Sequence, residues 1–125
     1  MNENLLQISK FASPEIDILI LYRSQNCKLE ELKNHLQVLT ERNKVQIIIG
    51  DFNFCQLTSS TNVISSYLRE NNFTPIISEP THTDGNILDQ AHARDTENIY
   101  NFTADLHTKY YTDHKGLAII IKKGS

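Results

Sequence analysis

The chain has 125 residues, 39% of them apolar, with a formal net charge of −3 and a pI near 5.9. This is the length of one domain with enough apolar side chains to bury a core, and the acidic balance excludes a dedicated, strongly basic nucleic-acid binder. No apolar run is long enough to span a bilayer, and no basic segment leads into an apolar one at the start, so an intracellular protein, nuclear or cytoplasmic, is expected.

After a Ser13-Pro14 break, Ile16, Ile18, Leu19, Ile20 and Leu21 predict a buried strand ending at Tyr22. The opening residues leave no room for further strands before it. Leu29, Leu32, Leu36 and Leu39 then recur on one helical face. Asn26 is placed to cap this helix, with Glu30 and Glu31 near its positive end, Arg42 and Lys44 near its negative end, and His35 on its surface. Val45–Ile49 predicts a second buried strand, running into Gly50-Asp51-Phe52-Asn53. A polar loop, Gln56–Ser60, leads to a second helix, capped by Ser60 or Thr61, through Val63, Ile64, Tyr67 and Leu68. It ends at Asn71-Asn72, where asparagine tolerates the left-handed conformation. Strands follow around Phe73–Ile77, Ile87–Ala93 and Ile99–Thr103, with a tight turn at Asp84-Gly85. A last strand, Leu117–Ile121, precedes a frayed tail from Lys122. The pattern is α/β: one mixed sheet with helices on one face. The runs Ile47–Ile49 and Ile119–Ile121 read as strands buried on both faces.

The chemistry-bearing residues sit at strand ends. Residues i and i+2 of a strand share a side, so Asp51 and Asn53 face one site and Phe52 faces away. A carboxylate beside a carboxamide suits phosphate chemistry: the acid takes a proton or supports a hard cation, and the amide orients water or an oxyanion. Asp113-His114 stands at the mouth of the last strand, and histidine is the side chain that titrates near neutrality. Asp89 is a candidate to hydrogen-bond that imidazole. Taken singly, these residues are equally well read as ordinary polar strand ends. Cys27 and Cys55 read as thiols, and no Cys/His spacing makes a zinc site. Only four glycines are present, scattered, which argues against a nucleotide-binding phosphate loop.

In order, Ile20–Asn26, Ile49–Asn53, Pro80–Asp89 and Tyr111–His114 resemble motifs of the endonuclease/exonuclease/phosphatase family, which includes abasic-site endonucleases, the DNase I group and the endonuclease domains of non-LTR retrotransposons. The Pro80-Thr81-His82 segment leading to Leu88-Asp89 looks most like the retrotransposon branch. The resemblance covers the C-terminal half of that domain. It implies one layer of a four-layer, DNase I-like αββα sandwich, with residues 1–125 as a partial domain, its core at about 15–122. The N-terminal half, which in the family carries a metal-holding asparagine and glutamate, is missing. It implies hydrolysis of a DNA phosphodiester assisted by Mg²⁺ (or Mn²⁺). Asp51 would position or deprotonate the attacking water, and Asn53 would hold that water or a phosphate oxygen. His114 would contact the phosphate, oriented by Asp89, while Asp113 supports the metal. Tyr22 would add a phosphate hydrogen bond, although the proline that often follows two residues later is Ser24 here. His82 reads as structural, and Arg94 as a solvated surface arginine, with contact to a nucleic-acid backbone as the alternative. A chain lacking the other layer is expected to cleave DNA poorly or not at all alone. It is also expected to expose an apolar sheet face that invites self-association or a complementing N-terminal half. The rival readings are a non-catalytic remnant of the domain and a family phosphatase or exonuclease acting on another phosphoester.

Overall fold

The computed structural model describes residues 5–40, 44–53, 63–76, 89–108 and 115–124. Nine elements follow one another among them: β1 (Leu6–Ala12), β2 (Ile16–Arg23), α1 (Leu29–Leu39), β3 (Val45–Asp51), α2 (Val63–Glu70), β4 (Thr74–Pro75), β5 (Asp89–Arg94), β6 (Tyr100–Thr108) and β7 (Lys115–Lys123). Five strands form one mixed sheet in the order β1-β2-β3-β5-β4. Only β2 and β3 run parallel, with α1 as the crossover between them; every other pair is antiparallel. Strands β6 and β7 form a separate antiparallel ribbon. The α/β reading of the sequence is met, with the ribbon as a second sheet.

Alternation assigns the two faces of the larger sheet. Leu19 and Leu21 of β2 and Ile48 of β3 pack with Leu32 and Leu36 of α1 and with Ile64, Tyr67 and Leu68 of α2, all of them buried. Phe52 and Phe73 complete this cluster, and Leu6 and Ile8 of β1 lean on it. The helices lie side by side and are tied by the Tyr67 hydroxyl, which pairs with Thr40 Oγ1 at 2.8 Å. On the opposite face Ile47 and Ala91 are covered, while Phe11, Ile20 and Tyr22 are 59%, 49% and 40% exposed. Among the described residues, the large apolar side chains that this face leaves to water therefore lie on β1 and β2.

The helix-side face also buries a polar row. Asp17, Gln46 and Arg94 stand in register across β2, β3 and β5. Gln46 Nε2 donates to Asp17 Oδ2 at 3.0 Å, and Arg94 donates to Gln46 Oε1 at 2.6 Å. Lys44 and Lys10 reach Asp17 at 2.5 and 3.6 Å. Burial pushes the Asp17 carboxyl up, but the hydrogen bonds from Lys44 and Gln46 and the charge of Lys10 outweigh it and hold the pKa below the usual value.

Several expectations are corrected here. A strand, β1, does precede β2 as its hairpin partner. Helix α1 begins after Lys28, not at Asn26, and no side chain caps it. Lys44 lies outside the helix and serves Asp17 instead. Arg94 is 6% exposed, held by Gln46 and stacked 4.8 Å over the Phe73 ring, so it is not a surface residue. Strand β7 includes Lys122 and Lys123, and Gly124 N donates to Ile99 O, so this end is paired rather than frayed. Ile120 is 43% exposed, because a two-stranded ribbon cannot bury both faces. His35 is exposed on α1, and Asn72 takes a positive φ of 66° after α2, both as expected.

Candidate functional site

The apolar run of β3 delivers Asp51 to the head of the larger sheet, where β2 contributes Tyr22. The ladder sets these two residues side by side, and Asp89, the first residue of β5, stands opposite Asp51 on the other flank. Three residues distant in sequence thus share one transverse row. Tyr22 alternates with the buried Leu21, so its ring stands on the face away from the helices.

Gly50 makes this close approach possible. Its φ is +156°, and a Cβ there would overlap the Leu21 carbonyl oxygen of the parallel neighbour. Beyond Asp51 the strand stops. Phe52 drops into the core, fully buried, with its ring edge-on to His92 at 5.6 Å. Asn53 takes a left-handed φ of 57°, and its backbone N–H donates to Asp51 Oδ1 at 2.9 Å. Phe52 faces away from Asp51, as alternation requires. Asn53 lies past the strand, so its position comes from the turn and not from the i, i+2 rule. Asp51 and Asn53 are both half-buried.

Asp113 and His114, between β6 and β7, lie outside the described residues, as do His82, Cys55 and the Asp84-Gly85 turn. The structure therefore brings together Tyr22, Asp51 and the backbone position of Asp89, with Asn53 next in the chain. Oxygen donors of this kind suit a hard divalent cation, which commonly takes one or two carboxylates and keeps several waters. Among the described residues, no group of three His, Cys, Asp or Glu side chains converges on a metal position.

Two buried groups near the row escaped the sequence reading. Arg23, 5% exposed, lies beneath the turn. His92 is 6% exposed, with Nε2 donating to Gln90 Oε1 at 2.8 Å. Burial pulls the His92 pKa down to about 4, so the ring is neutral at physiological pH. Strict alternation would have found Arg23, which extends the Leu19–Leu21 series, whereas the inward side of His92 follows from its register with Ile48. A cavity of about 940 Å³ lies at the other end of the sheet, between the α2–β4 corner and the ribbon, lined by Phe73, Thr74, Asp95, Tyr100 and Phe102 among others. None of the sequence-predicted site residues lines it, and the chemistry-bearing residues, not the volume, mark the candidate site.

No protein-family model matches the sequence, and no curated protein matches it. Solved structures do. The cytolethal distending toxin of Actinobacillus actinomycetemcomitans matches with a TM-score of 0.63 at 18% identity, over 90% of this chain and 52% of that one. CdtB, the biologically active subunit of cytolethal distending toxin, matches with a TM-score of 0.58 at 17% identity, over 90% and 50%. The Haemophilus ducreyi toxin matches with a TM-score of 0.59 at 18% identity, over 90% and 51%. The chain spans about half the length of the structures it matches. Its architecture, a mixed sheet layered with two helices, is the fold of roughly half of a DNase I-like domain.

Proposed function

We propose that this chain is one layer of a divalent-cation-dependent phosphodiesterase that acts on the DNA backbone, of the retrotransposon endonuclease type. The observation that carries the reading is the row Tyr22–Asp51–Asp89 at the head of the sheet, followed directly by Asn53. A DNase I-like fold around that row supports it.

Within this reading Tyr22, 40% exposed, offers a hydroxyl that donates to a phosphate oxygen. Asp51 uses one oxygen to accept the Asn53 N–H, which fixes its carboxylate and sets it to orient or deprotonate a water. Asn53 offers an amide to that water or to a non-bridging oxygen. His114 contacts the phosphate, with Asp89 fixing its tautomer. Asp113, with help from the row, would hold Mg²⁺ or Mn²⁺, which when bound neutralises phosphate charge and stabilises the leaving oxygen.

The half-length match favours a second reading, in which the chain alone is catalytically silent and acts only when a complementary layer covers its exposed face. Plasmid nicking with Mg²⁺ separates the two. Weak or absent nicking by the purified chain is expected. Robust nicking that is lost in Asp51→Ala and His114→Ala would show a complete site. The shared premise has its own check, because Mn²⁺ added to the ¹⁵N-labelled chain should broaden the Asp51 and Asn53 amide signals selectively. If those signals stay sharp, the cation-dependent reading fails.

A further inference from the structure

We propose that Arg23 is the positioning residue for the Asp51–Phe52–Asn53 turn: a buried guanidinium that holds the turn in the shape the candidate site needs. The inference rests on the phosphodiesterase reading for its functional meaning, but its structural content stands apart from that reading.

Tyr22 and Arg23 are consecutive and alternate, so one strand end sends a phenol to the open face and a cation into the interior. Burying a charge is costly unless hydrogen bonds replace its water. Three backbone carbonyls do so here. Nε donates to Phe52 O at 2.6 Å, one terminal nitrogen donates to Asn53 O at 3.0 Å, and the other donates to Cys27 O. Two of these acceptors are the first carbonyls beyond the end of β3. The third belongs to the loop that leads from β2 into α1. One planar fork therefore staples two loops together beneath the site, and a lysine ammonium does not reproduce that geometry.

The turn uses such support. Asn53 occupies the left-handed region, uncommon for residues with a Cβ although asparagine is among those that tolerate it best. It is held from two sides: its N–H by Asp51 Oδ1 and its C=O by Arg23. Without the guanidinium, the Phe52 and Asn53 carbonyls lose this buried donor and the left-handed turn loses one of its two anchors. The Asn53 N–H then swings away from Asp51, and the carboxylate loses that hydrogen bond. The negative charge of Asp51 also lies close enough to favour the Arg23 cation, against the lowering effect of burial. The guanidinium and the acid are coupled through space as well as through the turn.

The test uses the full chain as wild type, Arg23→Lys, Arg23→Ala, and Arg23→Ala with added guanidinium ion, followed by amide hydrogen exchange and Mn²⁺ titration. In the wild type the Asn53 amide is protected. In Arg23→Lys and Arg23→Ala its exchange should accelerate at least tenfold while Ile47 and Ile48 stay protected, and guanidinium should restore protection to Arg23→Ala. Mn²⁺ affinity of the site should fall about tenfold in Arg23→Lys, as for loss of an outer partner that orients groups around a metal. Unchanged Asn53 exchange in Arg23→Lys overturns the proposal, and so does a loss of protection that spreads equally to Ile48. If Arg23→Ala does not fold, the lysine variant decides alone. Should wild type show no Mn²⁺ effect while Asn53 exchange behaves as stated, the phosphodiesterase reading fails and the clamp stands.

Discussion

His92 makes stability depend on mild acid. It sits against Phe52 and in register with Ile48, under the helices, with its ring hydrogen-bonded to Gln90. Its pKa falls from an ordinary 6.5 to about 4 because burial penalises the charged ring. The folded pKa lies below the unfolded one, so on acidification the unfolded chain takes up the proton first. The stabilising contribution is fully present above pH 6.5 and is lost progressively toward pH 4. A difference of that size corresponds to about 3 kcal/mol, a large share of the roughly 5–15 kcal/mol typical of a domain. Asp17 works in a different window. Its folded pKa is lowered below 3.8, so its contribution persists until the pH falls beneath that value. Urea unfolding at a series of pH values should therefore show a decline between pH 6.5 and 4 that His92→Gln lacks, since glutamine keeps a donor for Gln90 and cannot ionise. An imidazole titrating near 6.5 by NMR would refute the reasoning. An equal decline in His92→Gln would do the same.

Gly50→Ala should cost about 3 kcal/mol or more, because the new methyl overlaps the Leu21 backbone and the φ is unfavourable, and thermal unfolding measures it. Asp17→Asn should destabilise by about 3 kcal/mol, since it leaves Lys44 and Lys10 without a carboxylate at a buried position; a loss under 1 kcal/mol by urea unfolding would contradict this. The exposed side chains of β1 and β2 should drive association, and sedimentation should show that Phe11→Ser with Ile20→Thr shifts the chain toward monomer. A wild-type chain that is monomeric at all concentrations would remove that expectation.

What the sequence disclosed depended on whether a local pattern was strong. The run Val45–Ile49 and the leucine face of α1 were unambiguous because apolar spacing alone defined them. Strand β1 was hidden because its third inward position is Lys10, which points in to reach Asp17 and Leu39 O, while Phe11 lies on the open face. Asp17 lies on the neighbouring strand, but Leu39 O is 29 residues away, and only the pairing of β1 with β2 shows that this lysine points inward. The polar row of Asp17, Gln46 and Arg94 was illegible for the same reason. At the candidate site the acids were legible as strand-end residues, but their alignment is a property of inter-strand register. The left-handed Asn53 belongs to a turn that ends the alternation, whereas the buried Arg23 continues the alternation of β2, and its partners Phe52 O and Asn53 O are distant in sequence. The start of α1 was misplaced because the backbone turn Ser24–Cys27 occupies the ground where Asn26 was expected to cap.

The transverse row has a kinetic consequence. Tyr22, Asp51 and Asp89 are joined by no hairpin. The first pairing needs the α1 crossover to close, and the second needs a still longer loop containing α2. Hairpins β1–β2 and β6–β7 form from neighbouring segments and lose less entropy on closure. The row at the head of the sheet therefore assembles only after both non-local closures, and a partly folded chain can show helix and hairpin signals with no site at all. Register at β3, and not secondary-structure content, reports whether a preparation of this protein has finished folding.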